Sequence, residues 1–344
     1  MLIIHRRLKK EMMFDYTKTP KEYVHCNLCG KDDFFILAER SSNGYEARAC
    51  LCKNCGLIYL NPRMTKEGYA AYYKDFYRKD RAEAKKDNKK YKHNSMEEGF
   101  LGSVRFGEVF SSRLKEHINP DGITIDVGSN SGGALQGFKN IFPGIIPIGI
   151  EPSDKHAEFA NTQGIKTFRC LFEDFPRDEI GEASNIFCFH TLNHLLDPKG
   201  FFHWAYATLQ MGGRLVLSVK NFRAQVKRSG TIKRAIQIDH PYMFTPENLR
   251  LMLVATGFQI VYEDNDELKL RNEWTRQHAD GLSIHHIRVV AEKKEKKEQE
   301  IPISAPSAAR VLKHQLSWWH VLPYYFVYHS GKMKYFRKIF RIGY

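Results

Sequence analysis

Asp126-x-Gly128-x-Asn130-x-Gly132 carries an acidic residue out of a β-branched run into a glycine-rich turn, and a helical pattern follows. A dinucleotide-binding turn of the type G-x-G-x-x-G presents bare backbone N–H groups to a pyrophosphate at a helix N-terminus. A carboxylate entering the turn repels a diphosphate, yet it suits a ligand bearing an ammonium and a sulfonium. The cofactor that fits is S-adenosylmethionine. Glu151 stands 25 residues after Asp126, at the end of an apolar run. There it is placed to accept both ribose hydroxyls, or else it is an ordinary strand-end charge; the preceding turn favours the ribose role.

Five of the seven cysteines fall between residues 26 and 55, as Cys26-x-x-Cys29 and Cys50-x-Cys52-x-x-Cys55. Two C-x-x-C knuckles 22 residues apart read as a tetrahedral Zn2+ site with Cys26, Cys29, Cys52 and Cys55 as ligands. Gly30 and Gly56 directly after the knuckles allow the positive φ that such turns need. Four ligands leave no open position, so the zinc is expected to be structural. Cys50 reads as a spare buried thiol, the alternative being a fifth or substitute ligand.

Methyl transfer from a sulfonium is an in-line displacement, which asks for an aligned nucleophile and a base to take its proton. Histidine is the natural base near neutral pH. His190 and His194 follow an apolar run, and His240 lies in Ile238-Asp-His-Pro-Tyr-Met-Phe-Thr245. His194 is expected in the site, whereas His190 either caps its strand, contacts cofactor or is a structural histidine. Glu173 and Asp174 could accept from an adenine amino group, or be solvated loop charges.

These groups need a scaffold, and the pattern supplies one. Apolar runs at Ile145 to Ile150, Ile165 to Phe168, Asn185 to Phe189 and Ile284 to Ala291 alternate with helical segments, which predicts an α/β, doubly wound Rossmann-like sheet. Ligands of such sheets lie beyond the carboxyl ends of the strands. Thr245 as N-cap, Pro246 at N1 and Gly257 at the end bound a helix after the His240 loop. Phe34 to Leu37 and Tyr45 to Ala49 are the expected strands of the zinc ribbon.

The motifs resemble those of the class I S-adenosylmethionine-dependent methyltransferases over residues 121–293. Asp126-Val-Gly-Ser-Asn-Ser-Gly132 is similar to their first motif, Gly149-Ile-Glu-Pro-Ser153 to the second, and Cys170-Leu-Phe-Glu-Asp-Phe175 to the acidic segment after the third strand. Phe187-Cys-Phe-His-Thr-Leu-Asn-His-Leu-Leu-Asp-Pro198 resembles the fourth-strand motif, and Leu209-Gln-Met-Gly-Gly-Arg-Leu-Val-Leu217 the glycine turn into the fifth strand. The cysteine module, followed by Gly56 to Pro62 and a tyrosine-rich helix from Tyr69 to Tyr77, resembles the zinc-containing N-terminal domain of bacterial sugar C-methyltransferases. That resemblance implies that Asp239 and His240 match a Glu-His pair supplying the base, and that His194 matches a second active-site histidine. The tyrosine before that pair falls on Gln237, and the frequent fourth-motif glutamate on Asn193. The acceptor is therefore expected to be a sugar or sugar-derived molecule, methylated on carbon or oxygen.

The chain has 344 residues, enough for one large core and a satellite. The expected division is a zinc-ribbon module (1–62), a helical linker or lid (63–120), the catalytic domain (121–293) and a basic aromatic tail (294–344). The formal net charge of +14 concentrates in Lys74 to Lys92 and in the tail, which has no Asp or Glu from residue 301 on. No apolar run is long enough to span a bilayer and the N-terminus does not read as a signal peptide, so a cytoplasmic protein is expected. Trp318 to Tyr328 and Lys332 to Arg341 mix aromatics with cations, which permits peripheral contact with the inner membrane surface; the alternative is an aromatic hairpin packed on the body. The rival functions are an RNA base methyltransferase, drawn by the basic charge, and a non-catalytic zinc-ribbon interaction protein with a degenerate methyltransferase fold. Against the first, no Asn/Asp-Pro-Pro-Tyr motif follows the fourth strand; against the second, Asp126, Gly128, Gly132 and Glu151 are all present.

Overall fold

A computed structural model describes residues 14–77, 95–265, 285–295 and 304–329. Five short strands open the chain: β1 (Lys21–Glu22), β2 (Phe34–Ala38), β3 (Ala49–Cys52), β4 (Ile58–Leu60) and β5 (Arg63–Met64). β2, β3 and β4 form an antiparallel ribbon, while β1 pairs with β5. The second ribbon strand lies later than the expected Tyr45 to Ala49. The chain is still turning there: Gly44 has φ 86° and the Ala47 N–H bonds back to the Tyr45 carbonyl. Phe34 instead registers with Cys52 and Ile36 with Cys50, so the knuckle itself is part of the strand.

The segment 63–120 has two pieces with different partners. α1 (Lys66–Asp75), capped by the Thr65 side chain on the Gly68 N–H, begins one turn before the expected Tyr69 and buries Tyr69 and Tyr72 with the outer ribbon face. α2 (Met96–Arg113) opens with a Ser95/Glu98 capping box and lies against the main domain. Of the basic segment Lys74 to Lys92, residues 78–92 lie outside the described residues.

The main domain then runs β6 (Gly122–Val127), α3 (Gly133–Ile141), β7 (Ile145–Ile150), α4 (Asp154–Thr162), β8 (Lys166–Phe168), α5 (Arg177–Ile180), β9 (Ala183–Phe189), α6 (Pro198–Thr208), β10 (Leu209–Lys220), α7 (Phe222–Ser229), α8 (Ile232–Ala235), β11 (Tyr242–Met243), α9 (Pro246–Ala255), β12 (Phe258–Asn265) and β13 (His286–Lys293). Its seven-stranded sheet has the order β12-β13-β10-β9-β6-β7-β8, with only β13 antiparallel to its neighbours. The expected doubly wound sheet is thus present, with a final hairpin of β12 and β13. Alternation along β9 sends Ile186 and Cys188 to one core and Phe187 and Phe189 to the other, as period-2 geometry requires. On the Phe187 face, α2 crosses α3 so closely that a Cβ on Gly137 would stand 2.2 Å from the Val104 carbonyl oxygen.

Two of the expected regions are not separate bodies. β11, from the main domain, adds an edge strand to the ribbon, giving the order β11-β4-β3-β2. The tail forms α10 (Pro306–Gln315) and α11 (Trp318–His329), whose Ala309, Leu312, Leu316 and Val321 are buried in one core with the outer ribbon face, α1, and Phe222 and Val226 of α7. Burial of each large side chain is worth about 1.5–3 kcal/mol, enough to hold these helices down. Residues 304–329 therefore pack on the body; Lys332 to Arg341, the second half of the expected aromatic hairpin, lie outside the described residues.

Candidate active site

The sheet reverses direction between β6 and β9. From β6 the chain steps outward to β7 and β8, then returns to β9 on the other side, so a crevice opens beyond the carboxyl ends of β6 and β9. The first motif fills one lip of it. Gly128 has φ 76°, and a Cβ there would meet Thr191 Oγ1 at 2.2 Å, so no other residue fits between the two loops. Asn130 is also left-handed, at φ 52°, and Gly132 precedes α3 at φ 80°. Glu151, just past β7, accepts the Asn130 N–H on Oε2 and the Ser153 N–H on Oε1, both at 2.9 Å. Each carboxylate oxygen has a second lone pair, which leaves capacity for hydroxyl donors.

Asp126, next to last in β6, is almost wholly buried, and its Oδ1 has no hydrogen-bond partner. Burial, and secondarily the nearby Glu151 carboxylate, pushes its pKa up to about 8. Burial likewise raises Glu151. Two adjacent carboxylates left in this condition call for a cationic, hydroxyl-bearing ligand, the chemistry of S-adenosylmethionine.

His190, directly after β9, adopts φ 60° and stacks on His286 of β13, ring centroids 4.4 Å apart, with Phe106 of α2 beside it. Its ring remains water-accessible, but the cleft walls desolvate it and, with the charges of Lys220 and Arg288, lower its pKa to about 4. Glu173 and Asp174 lie in a 3-10 turn, residues 172–174, after β8, and both are exposed. Glu173 is near enough to Lys66 and Asp197 to feel both charges, and neither carboxylate is singled out for adenine.

The second lip holds the remaining histidines. His194 ends a short 3-10 turn, 192–194, and its Nδ1 lies 2.8 Å from both the Asp239 carbonyl oxygen and the Tyr73 hydroxyl. A carbonyl only accepts, so this network assigns the ring proton to Nδ1 and the lone pair to Nε2. His240 is buried and crosses the His194 ring edge-on at 4.7 Å. Its Nε2 lies 3.3 Å from Nζ of Lys220, which also reaches Gln237 Oε1 at 3.3 Å. The Asp239 carboxylate is 4.0 Å from His194 Nδ1 and 3.9 Å from His240 Nε2, so it neighbours both rings without a direct hydrogen bond to either. Lys220 and Tyr73 were not foreseen as site residues: the one reads as a strand-end charge, the other as one face of a helix that is remote in sequence.

The cysteine cluster sits behind this lip. Cys26 and Cys55 Sγ are 3.4 Å apart, Cys29 and Cys52 3.5 Å, and all four sulfurs lie within 4.8 Å of one another. A disulfide would need about 2.05 Å. Sulfurs on a tetrahedral Zn2+ at about 2.3 Å stand roughly 3.8 Å apart, so the four thiols fit that ion. Cys50 is outside the cluster; its Sγ faces the Asn61 carbonyl at 3.8 Å and burial raises its pKa to about 12. Asn27, inside the first knuckle, bonds to the Asp197 side chain and to the Lys199 N–H at the start of α6. Arg63 spans from Glu22 to the Leu196 carbonyl and the Tyr242 hydroxyl, and Asn193 bonds to the Tyr242 carbonyl.

Residues 105–263 match a protein family described as a methyltransferase domain. The match gives this region the fold of a methyltransferase domain. None of the curated proteins matches the sequence. Similar solved structures include the plantazolicin methyltransferase BpumL with S-adenosylhomocysteine (14% identity, 66% of this chain and 94% of that one, TM-score 0.47). The magnesium protoporphyrin IX methyltransferase of Synechocystis PCC 6803 is 14% identical over 68% of this chain and 100% of its own, at a TM-score of 0.44. A possible histamine N-methyltransferase of Thermotoga maritima is 19% identical over 57% and 94%, at 0.41. The matched residues include the first lip of the crevice, His194 and His240, whereas Tyr73 and the cysteine cluster lie outside them.

Proposed function

We propose that the protein transfers the methyl group of S-adenosylmethionine to a sugar or sugar-derived acceptor, on carbon or oxygen, with histidine as general base. The observation that carries this reading is the grouping of His194, Asp239, His240 and Lys220 beside the crevice. Asp126, Gly128, Asn130, Gly132 and Glu151 would hold the cofactor, which supplies the electrophilic methyl. His194 then takes the acceptor proton on Nε2, its ring oriented by the Asp239 carbonyl and Tyr73. His240 and Asp239 are not the primary base in this reading, because an ammonium already faces His240 Nε2 and opposes a second positive charge there. Lys220 instead offsets negative charge that develops on an acceptor oxygen.

The four cysteines hold a structural Zn2+ in this proposal, which fits a reducing, cytoplasmic compartment. Zinc-loaded protein would be incubated with S-adenosylmethionine and a panel of nucleotide-linked keto and hydroxy sugars, with mass spectrometry reading a one-methyl gain. Turnover lost in His194→Ala is the expected result. Intact cofactor binding with no sugar methylated would overturn the acceptor class.

A further inference from the structure

α7, α8, α10 and α11 lie together, and their charges are one-sided. α11 packs along α7: a Cβ on Gly230 would touch the Tyr325 ring, His329 Nε2 meets the Arg228 carbonyl, and Lys227 sits over the Tyr324 ring at 4.1 Å. α8 packs on α7 and on the ribbon strand β2, whose Phe35 also receives Lys313 of α10 at 3.9 Å. Residues 221–238 and 304–329 contain no Asp or Glu. Arg228, Lys233, Arg234, Arg310 and Lys313 are all exposed there, and no described carboxylate forms an ion pair with any of them. The flanking acids Glu39, Glu46 and Glu247 are already paired, to Arg48, Arg40 and Arg223.

The tail helices also expose large aromatic surface. Trp318 and Trp319, at the start of α11, are 51% and 72% exposed and stack on each other at 3.7 Å, and Val311 on α10 is 56% exposed. Folding has buried Leu312, Leu316 and Val321 of these helices and left both indoles outside. Exposed tryptophan among uncompensated cations is the composition that inserts at a lipid headgroup boundary, the rings entering the interface while the cations meet anionic headgroups.

We propose that this face docks the enzyme on an anionic lipid surface. α8 leads directly into the loop holding Gln237, Asp239 and His240, so the docked face adjoins the acceptor lip.

The test is co-sedimentation of the full chain with vesicles of phosphatidylcholine alone and of phosphatidylcholine with phosphatidylglycerol. Binding only to the anionic vesicles, released by salt, is expected. Trp318→Ala with Trp319→Ala, and separately Lys233→Ala with Arg234→Ala, should each raise the lipid needed for half binding by about tenfold or more. Circular dichroism and cofactor affinity of both variants should match the parent, which separates lost docking from lost folding. Equal binding to neutral vesicles, or a Lys233/Arg234 variant that binds as the parent does, overturns the proposal. So does displacement by single-stranded RNA with an RNA affinity indifferent to the tryptophans, which would make the face a nucleic-acid surface.

Discussion

Lys220 Nζ and His240 Nε2 face each other at 3.3 Å, which couples the end of β10 to the loop before β11. An ammonium only donates, so neutral His240 carries its ring proton on Nδ1 and serves to hold Lys220. Lys220→Met should lower kcat by about 10²–10³ while leaving S-adenosylhomocysteine affinity unchanged, the loss expected for one missing donor to a developing oxyanion. Lys220→Arg should recover part of it. His194→Ala should cost about 10²–10⁴ in kcat. Steady-state kinetics with cofactor titration separates these outcomes, and an unchanged kcat in Lys220→Met would remove lysine from the chemistry.

Cofactor affinity should rise with pH. Burial holds the Asp126 carboxyl protonated up to about pH 8, and a cationic ligand needs it ionised. Below that value each pH unit should cost about tenfold in affinity, with a proton released on binding; above it the dependence should flatten. Calorimetry in buffers of different ionisation enthalpy reads the proton directly. Asp126→Asn should bind weakly at every pH and release none.

Removing the proposed Zn2+ should damage turnover before it damages cofactor binding. The cofactor lip stands on β6, β7 and β9 of the main sheet, while Tyr242 and Met243 pair with Tyr59 and Ile58 of the ribbon. Chelation, or Cys29→Ser, should change S-adenosylmethionine affinity by less than roughly threefold and lower kcat/KM for acceptor by about tenfold or more. Simultaneous loss of both would mean that the ribbon supports the whole domain.

The protein should be acid-labile. Burial lowers His285 to about 4 and His286 further below the usual histidine range. The unfolded chain binds these protons at about pH 6.5 and the folded chain does not, so the contribution of these two histidines is full above that pH and falls as the pH drops towards 4. His285, nearly fully buried, accounts for up to about 3 kcal/mol of this loss. Urea midpoints measured across that range should decline, and His285→Gln should flatten the decline.

The main sheet was legible because its strands are continuous apolar runs bounded by glycine, and the helix after Thr245 because its caps are conventional. The second ribbon strand was misplaced since two of its four residues are cysteines, Cys50 read as a spare thiol and Cys52 as a ligand, and not as strand. β11 spans only two residues inside a stretch that reads as loop, and its partner Tyr59 is remote in sequence. Lys220 carries no local pattern at all; only the fold brings it to Gln237 and His240.

Tyr73 belongs to α1 and touches His194, so a direct contact of the proposed base is encoded upstream of the cofactor fold. In the proposed mechanism, acceptor choice is then set in part by the ribbon together with α1. Swapping that module between related enzymes should carry substrate preference with it and leave the methyl donor untouched, a modular route by which one transfer machine acquires new substrates.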